Sequence, residues 1–145
     1  LGTGEDEFEE ALTVLARRYP ENVFTSIGFD EELAQSIYAA SDFFLMPSLF
    51  EPCGLGQMIA MHYGTLPIAR RTGGLKDTIV DGKTGFFFEE KNEKAFLRAL
   101  QHALGVFVDE PALLKMRARA MAEDFSWTKP ARQYQKIYKQ LMTND

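Results

Sequence analysis

The chain is poor in the residues on which several classes of protein depend. It has one cysteine, Cys53, so an internal disulfide is excluded. No apolar run approaches the length of about 18 residues that a membrane span needs, and no series of charged, apolar and small residues forms a signal peptide. With the single cysteine, these absences favour a cytoplasmic protein without a membrane partner. The two histidines, His62 and His102, lie outside any recognisable base motif, which argues against Cys53 as a nucleophile.

Charge of both signs is present, but it is unevenly distributed. The net charge is −5; residues 1–60 hold 11 acidic and 2 basic side chains, whereas residues 111–145 hold 3 acidic and 7 basic ones. The acidic residues cluster at predicted helix starts, where the helix dipole favours them. This pattern argues against a nucleic-acid partner. A length of 145 residues with 46% hydrophobic residues suits one ordinary core, so we expect a single domain.

Helical and extended patterns alternate along the chain. Helices are predicted at residues 6–18, 31–40, 93–106, 111–121 and 128–141, and strands at 23–27, 43–47, 66–69 and 85–88. Asp30 is expected to cap the second helix, residues 78–80 to be extended, and Asp81 and Gly82 to form a turn. The three phenylalanines of the last strand are expected in the core and on the sheet face. Strands that alternate with helices favour an α/β fold, in which a parallel sheet is flanked by helices.

The most informative segment is residues 50–64, which read FEPCGLGQMIAMHYG. It follows an apolar run, residues 43–47, of the kind expected for a parallel strand buried on both faces, and it leads into an apolar helix. The first free N–H groups of that helix offer partial positive charge to a phosphate. We expect them at Gly54, Leu55 and Gly56. Glu51 would lie just outside this anion pocket, so that a sugar carrying a diphosphate would fit both features.

A second glycine loop, formed by Thr72, Gly73 and Gly74, follows the next apolar run. A glycine pair after a strand is more often a plain turn, so this loop alone is weak support for a site. Because ligands sit at the carboxyl ends of parallel strands, we expect both loops to face one crevice. Arg70 and Arg71 could reach a phosphate or pair with helix carboxylates, and the sequence leaves their role open.

Three motifs carry a resemblance to a known family: EPCGL at residues 51–55, RRTGGL at 70–75 and DFSW at 124–127. With the sequence around them, they closely resemble the donor-binding core of bacterial and archaeal glycogen and starch synthases, which are retaining glucosyltransferases of the two-domain GT-B type. The likeness covers nearly the whole chain and implies the Rossmann-like C-terminal half of such an enzyme. The family transfers glucose from ADP-glucose or UDP-glucose to the non-reducing end of an α-1,4-glucan, with retention and without an obligatory metal or other cofactor.

The resemblance implies roles at the matching positions. Glu51 resembles the acidic residue that contacts the donor glucose beside the reacting carbon, and it is the candidate catalytic residue. Cys53 and Gly54 would line the same sugar site, while the N–H groups of Gly54, Leu55 and Gly56 would hold the diphosphate. No second carboxylate accompanies Glu51 in the two pocket motifs, EPCGL and RRTGGL, so we favour departure of the nucleoside diphosphate and attack on the same face over a double displacement.

Three positions depart from the family pattern. Phe29 occupies the place of an aromatic ring, usually Tyr, that stacks on the nucleotide base; it keeps the stacking surface but lacks the phenol. The common bacterial motif reads EPCGLTQLY, whereas this chain has Gly56 in place of Thr and Ile59 in place of Tyr. Gly56 lacks a hydroxyl contact to phosphate, although its backbone can still donate. Related glycosyltransferases often have a Glu where Ile59 stands, and Ile59 cannot hold the ribose as that Glu does.

The resemblance also concerns segments that the chain does not contain. Glycogen synthases place an acceptor domain, and an Arg and a Lys that neutralise the diphosphate, before this region. We therefore expect the chain by itself to bind a donor nucleotide weakly and to transfer nothing. Residues 1–126 would form an N-terminally incomplete nucleotide-sugar-binding domain, and residues 127–145 a helix that crosses to the acceptor domain. Without that domain, the apolar side of the helix would be exposed or would self-associate. This side consists of Trp127, Ala131, Tyr134, Ile137, Tyr138 and Leu141.

Two other interpretations stay open from the sequence. The chain could belong to another retaining GT-B glycosyltransferase with a different acceptor, or it could be a noncatalytic nucleotide-binding or oligomerisation module. The sequence leaves open the choice between ADP- and UDP-glucose and the oligomeric state. It also leaves open whether the N-terminal part was lost by evolution or by cloning.

Overall fold

Parallel strands and helices build the chain, as the alternating pattern predicts. The structure is a computed structural model, and it describes residues 1–142. It divides into two compact units, Leu1–Asp42 and Phe43–Asp145, rather than the single body that the chain length suggests. The predicted division after residue 126 stays a prediction, and residues 143–145 of the predicted C-terminal segment lie outside the described residues.

The first unit, Leu1–Asp42, contains two helices at the predicted positions. Helix α1 spans Asp6–Arg18 and helix α2 spans Glu31–Ala40. The Asp30 carboxylate caps α2 by accepting the N–H of Leu33 at 2.9 Å, so the predicted cap is confirmed. Asp30 has extended backbone angles, which end the preceding loop and let the helix begin at the next residue.

The strand predicted at residues 23–27 is wrong. Within residues 1–42 this segment forms one isolated parallel bridge, between Gly2 and Ile27. A ladder needs a neighbouring strand along its length, and only the short segment around Gly2 lies beside these residues. None of the side chains of residues 1–42 is fully buried, so this unit presents its apolar residues at least partly to solvent.

The second unit contains the sheet and the remaining helices. Within residues 43–142, three parallel strands lie in the order β1 (Phe43–Met46), β2 (Leu66–Arg70) and β3 (Phe86–Phe88). The helices of this unit are α3 (Gly56–His62), α4 (Leu75–Thr78), α5 (Glu93–Phe107), α6 (Glu110–Met121) and α7 (Thr128–Met142). Met46 pairs with Ala69, and Arg70 pairs with Phe88, so the carboxyl ends of the strands lie at one edge of the sheet.

The core centres on β2, the middle strand, whose residues 66–69 are buried. β1 is only partly buried, and Leu45 is 47% exposed, so the prediction that this strand is buried on both faces is wrong. The physical reason is its place at the edge of the sheet, where fewer neighbours cover a strand. In β3, Phe86 and Phe88 are buried and Phe87 is half-buried, which confirms the predicted core and sheet-face positions.

The segment after the second glycine loop is more helical than predicted. Thr78 ends α4, so the prediction of extended backbone at this residue is wrong. The N–H of Ile79 donates to the Leu75 carbonyl at 3.1 Å and closes the short helix. Ile79 then takes up extended angles, and the predicted turn follows, where Gly82 N–H donates to Gly85 O at 2.9 Å.

The three C-terminal helices differ in how they are packed. α5 contacts β3 and β2 through buried alanines, and α6 contacts α5 and α3. Asn92 caps α5 by accepting the Ala95 N–H at 2.9 Å, and Asp109 caps α6 in the same way. The described residues of α7 are exposed, except for the half-buried Pro130, and this holds for its apolar side as well. A search of residues 1–142 finds no helix long and apolar enough to cross a membrane.

Candidate functional site

Two neighbouring loops leave the sheet at the carboxyl ends of β1 and β2. We call residues 47–55 the Glu51 loop and residues 71–74 the glycine loop. Because β1 and β2 are paired and Met46 lies opposite Ala69, the two loops begin at nearly the same level of the sheet. This edge is where open parallel sheets bind their ligands.

The two loops are in direct backbone contact. Gly74 N–H donates to the carbonyl oxygen of Glu51 at 2.9 Å. Gly73 has a φ of +45°, and a Cβ placed on it would lie 1.9 Å from the same carbonyl oxygen. A Cβ on Gly74 would lie 2.7 Å from the Cα of Cys53. Side chains at these two positions would force the loops apart, so the glycine pair is what allows the Glu51 loop to approach this closely.

Gly54 is the second place where the Glu51 loop depends on a missing side chain. Its φ is +76°, a left-handed conformation that residues with a Cβ rarely adopt. A Cβ there would lie 2.5 Å from Oε1 of Gln57 and 3.0 Å from Cγ of Glu51. The chain therefore turns sharply at Gly54, and the side chains of Glu51 and Gln57 both approach the backbone at this turn.

Gln57 is a site residue that the sequence reasoning missed. Its side chain is buried, and Nε2 donates to the carbonyl oxygens of Cys53 at 3.0 Å and Gly54 at 2.8 Å. The same nitrogen lies 3.1 Å from Oγ1 of Thr78, in α4. One signal was available: Gln57 is the only polar side chain in the run LGQMIAM, on a helix predicted to be apolar.

The predicted start of α3 needs a correction. The helix begins at Gly56 with Leu55 at the N-cap, so its free N–H groups belong to Leu55, Gly56, Gln57 and Met58. Gly54 was expected to contribute the first of these donors, and this is wrong because its positive φ is incompatible with a right-handed helix. Leu55 and Gly56 lie at the start of the helix as expected, and their role in binding a diphosphate stays a prediction. The Gly54 N–H belongs to the turn before it.

The Glu51 carboxylate is available for a ligand. The residue is half-buried, and its side chain forms no ion pair with any group among residues 1–142. Cys53 is a free, exposed cysteine whose Sγ lies 3.7 Å from the Gly54 carbonyl oxygen. The loop thus presents a carboxylate beside a turn of close-packed backbone. Such an arrangement can stabilise positive charge at the carboxylate, and negative charge at the free N–H groups of the helix start.

The geometry of the site alone does not assign the chain to a protein family, whereas a comparison with known families does. Residues 1–119 match the family described as glycosyl transferases, group 1. The chain belongs to the group 1 glycosyl transferases. This match covers most of the 145 residues and includes both loops of the site.

The chain is similar to synthases of glycogen, starch and sucrose phosphate. The chain is 49% identical to a glycogen synthase from Bacillus cereus, over 98% of this chain and 31% of that protein. A solved structure of the catalytic domain of starch synthase IV from Arabidopsis thaliana, bound to ADP and acarbose, matches with 35% identity and a TM-score of 0.82, over 96% of this chain and 31% of the other. Sucrose-phosphate synthase from Thermosynechococcus elongatus matches with 26% identity and a TM-score of 0.69, over 99% of this chain and 38% of the other.

These similarities confirm the predicted fold class and the family resemblance. The chain has the α/β, Rossmann-like parallel sheet of GT-B glycosyltransferases and resembles glycogen and starch synthases over nearly its whole length. It spans about a third of the length of the relatives it matches.

Arg70 and Arg71, whose role the sequence leaves open, both bind other groups of this chain. Arg70 Nε donates to the carbonyl oxygen of Ser48 at 2.8 Å, and its Nη2 donates to that of Leu49. These bonds fasten the end of β2 to the start of the Glu51 loop. Arg71 instead lies 2.6 Å from the Glu89 carboxylate. A second carboxylate, that of Asp81, lies 3.9 Å from Arg71, and neither of the two partners belongs to a helix.

The remaining predicted site residues lie in different settings. Thr72 is buried, and its carbonyl accepts the Leu75 N–H at 3.2 Å at the start of α4. Phe29 belongs to the unit Leu1–Asp42 and is 94% exposed, so its ring is open to solvent. The role of Phe29 in base stacking stays a prediction. Among residues 1–142, no group of three His, Cys, Asp or Glu side chains is placed to hold a metal ion.

Proposed function

We propose that this chain is the donor-binding part of a glycogen or starch synthase. Such an enzyme transfers glucose from ADP-glucose or UDP-glucose to the non-reducing end of an α-1,4-glucan, with retention. One observation carries the proposal: the Glu51 loop and the glycine loop meet through a 2.9 Å backbone bond in a chain that is 49% identical to a glycogen synthase. The proposed setting is the cytoplasm, where an exposed thiol such as that of Cys53 stays reduced.

The proposed roles follow the positions of the groups in the two loops. Glu51, a half-buried residue whose carboxylate has no ion-pair partner among the described residues, is proposed to face the donor glucose. Gly54 and the exposed Cys53 form the wall of the sugar site. The N–H groups of Leu55 and Gly56, at the start of α3, bind the diphosphate together with the neighbouring glycine loop. Backbone donors of this kind need no side-chain hydroxyl, so Gly56 can serve where relatives have Thr.

Glu51 is proposed to act electrostatically rather than as a nucleophile. Residues 48–56 and 70–76 contain no other carboxylate, whereas a retaining double displacement uses two. The bond from the sugar to the nucleoside diphosphate would break first, and the acceptor hydroxyl would attack on the same face of the sugar and pass its proton to the departing diphosphate. Glu51 then stabilises the positive charge that develops on the glucose ring, and the backbone donors stabilise the negative charge on the leaving group.

An amide NMR titration of the chain with ADP and with UDP tests the binding site. We expect shifts at Gly54, Leu55, Gly56 and Gly73 and at the ring of Phe29, with the tighter nucleotide indicating the natural donor. Shifts spread over the surface, or none at millimolar nucleotide, would contradict the proposed donor site in this chain.

The proposed stacking of Phe29 on the base has a matched control in the same unit. Stacking contributes about 1–3 kcal/mol per base, so Phe29→Ala is expected to weaken nucleotide binding about 5- to 150-fold. Phe24 is also highly exposed, at 77%, and Phe24→Ala removes the same amount of aromatic surface. Equal affinities for the two variants would show that Phe29 does not contact the base.

The catalytic role of Glu51 is tested in the longer enzyme to which the chain is proposed to belong. Glu51→Gln keeps the size of the side chain but removes its charge, so turnover is expected to fall by orders of magnitude while ADP affinity changes little. Similar losses in both quantities would make Glu51 a binding residue instead.

The second candidate function is transfer of a sugar to a different acceptor. The likeness to sucrose-phosphate synthase favours this candidate, but less strongly than the other similarities favour a glucan acceptor. That likeness, at 26% identity, is weaker than the 49% to glycogen synthase and the 35% to starch synthase IV. Assaying the longer enzyme with α-1,4-glucans and with small sugar phosphates separates the two. Transfer to a sugar phosphate alone would replace the glucan proposal.

The exposed apolar side of α7 is proposed to pack against the acceptor domain of the longer enzyme. Tyr134, Ile137, Tyr138 and Leu141 are all more than half exposed in this chain. Apolar surface of this extent on one helix is typical of a contact with another domain or another copy. Light scattering of the chain at high concentration should show association that disappears on truncation after Thr128. A monomer at every concentration, unchanged by the truncation, would contradict this proposal.

A further inference from the structure

We infer that Gln57 is a positioning residue of the donor site, and that its carboxamide fixes the Glu51 loop relative to the glycine loop. The inference rests on the proposed function, and it adds a residue to which neither the sequence motifs nor the comparisons give a role. Gln57 lies in the first turn of α3, below the Glu51 loop, and its side chain is inaccessible to solvent. It therefore acts through the loops and not by touching the donor.

The first set of contacts joins Gln57 to the Glu51 loop. Nε2 lies 3.0 Å from the Cys53 carbonyl oxygen and 2.8 Å from that of Gly54. Both acceptors belong to the turn that directly follows Glu51, and Oε1 lies only 2.5 Å from the position that a Cβ of Gly54 would take. The carboxamide thus holds this turn by hydrogen bonds and by packing. At Gly54, the turn also lies close to Cγ of Glu51.

The second set of contacts reaches the glycine loop. Nε2 of Gln57 lies 3.1 Å from Oγ1 of Thr78, and this hydroxyl lies 3.3 Å from the Gly74 carbonyl oxygen. The N–H of the same Gly74 donates to the Glu51 carbonyl at 2.9 Å. The two amide hydrogens of Nε2 are shared among three acceptors, and these contacts close a ring that runs from Gln57 through Thr78 and Gly74 to Glu51 and back through Cys53. A displacement of either loop breaks a bond of this ring.

The oxygen of the carboxamide, Oε1, indicates that a contribution to stability does not by itself explain why Gln57 is at this position. Oε1 is buried and has no hydrogen-bond partner among the described residues. An unpaired buried acceptor destabilises a folded protein, and an apolar side chain of similar size at this position would avoid that penalty. The presence of a carboxamide is therefore explained by Nε2, which fixes the positions of the two loops relative to each other.

The test uses variants of the chain that separate positioning from folding. Gln57→Met keeps the size of the side chain and removes the donors. Thr78→Val breaks the link to the glycine loop, and Thr78→Ser restores it. Leu113→Ala, on the buried side of α6, is the control that lowers stability without touching either loop. For each variant, melting temperature, ADP and UDP affinity by NMR titration, and exchange of the Gly74 amide hydrogen are measured.

We expect Gln57→Met and Thr78→Val to weaken nucleotide binding about tenfold, the scale of a lost hydrogen bond, while the folded spectrum is retained. Shift changes in the free protein should be confined to the Glu51 loop, the glycine loop and their direct neighbours. Thr78→Ser should recover most of the affinity, and Leu113→Ala should lower the melting temperature but not the affinity. If Gln57→Met lowers only the melting temperature, as Leu113→Ala does, Gln57 is merely structural and the inference is overturned.

Failure of this inference can be distinguished from failure of the proposed function. If the unaltered chain binds neither nucleotide, the proposed donor site is at fault, and exchange of the Gly74 amide decides the role of Gln57. Exchange at least tenfold faster in Gln57→Met than in Leu113→Ala supports positioning, and equal exchange overturns it. If Gln57→Met does not fold, Thr78→Val and Thr78→Ser decide by the same measurements.

Discussion

Replacing Gly73 with alanine tests the central geometric feature of the site, the contact between the two loops. The new Cβ would lie 1.9 Å from the Glu51 carbonyl oxygen and 2.8 Å from its carbonyl carbon, both of which are backbone atoms that cannot rotate away. The loops must therefore separate, which breaks the bond from Gly74 N–H to Glu51 O. At a φ of +45°, alanine is also strained in the left-handed region.

The magnitude follows from these terms. Left-handed strain costs about 1 kcal/mol, and the lost backbone hydrogen bond costs about another 1 kcal/mol. Separating the packed loops adds about 1 kcal/mol more, so we expect Gly73→Ala to lower the free energy of unfolding by about 3 kcal/mol. Urea unfolding, followed by circular dichroism, measures this difference.

Gly82→Ala is the matched control for Gly73→Ala. Gly82 has a similarly positive φ, +67°, but a Cβ there would meet nothing within 4 Å. Only the strain remains, so its free energy of unfolding should fall by about 1 kcal/mol. If both variants lose the same amount, the close approach of the Glu51 loop to the glycine loop does not exist in solution, and the geometric basis of the site is refuted.

Three further predictions concern other parts of the chain. Gly105→Ala, within α5 and with open space around the new Cβ, should raise the free energy of unfolding by about 0.5–1 kcal/mol, measurable by urea unfolding. Asn92→Ala removes the acceptor for the Ala95 N–H and should lower it by about 1 kcal/mol in the same assay. The side-chain and backbone hydrogen bonds of Ser126 lower the pKa of the Asp124 carboxyl. The hydrogen bonds between Ser126 and Asp124 therefore contribute to stability at pH values above the ordinary pKa of an Asp carboxyl. This contribution is lost as the pH falls through the lowered pKa of Asp124. NMR titration should show a higher midpoint for Asp124 in Ser126→Ala.

The sequence predicts most of the second unit because its signals are local. The helix capped by Asn92 begins within a residue of its expected position, and the three phenylalanines of β3 alternate between core and surface as a strand requires. Caps, turns and apolar periodicity each depend on a few neighbouring residues, so a single chain suffices to recognise them.

The errors concern features that depend on distant partners. Residues 23–27 have the composition of a strand, but strand formation needs a neighbour, and within residues 1–42 only a bridge between Gly2 and Ile27 forms. Leu45 was expected to be buried because its run is apolar, yet burial depends on what lies beside β1. Gln57 was missed for the same reason, since Thr78, 21 residues further along the chain, becomes its neighbour only after folding.

The position of Glu51 is set by the register between β1 and β2. Three groups from β2 or the segment just after it hold the Glu51 loop: Arg70 binds two carbonyls at its start, Gly74 binds the Glu51 carbonyl, and Thr78 binds Gln57 beneath it. A slip of one residue between the strands would move all three groups by about 3.3 Å relative to the Glu51 loop and turn the Arg70 side chain to the other face of the sheet. The pairing of Met46 with Ala69 thus sets where the Glu51 loop lies relative to the glycine loop. The sequence motif therefore supplies the carboxylate, whereas its placement depends on the neighbouring strand.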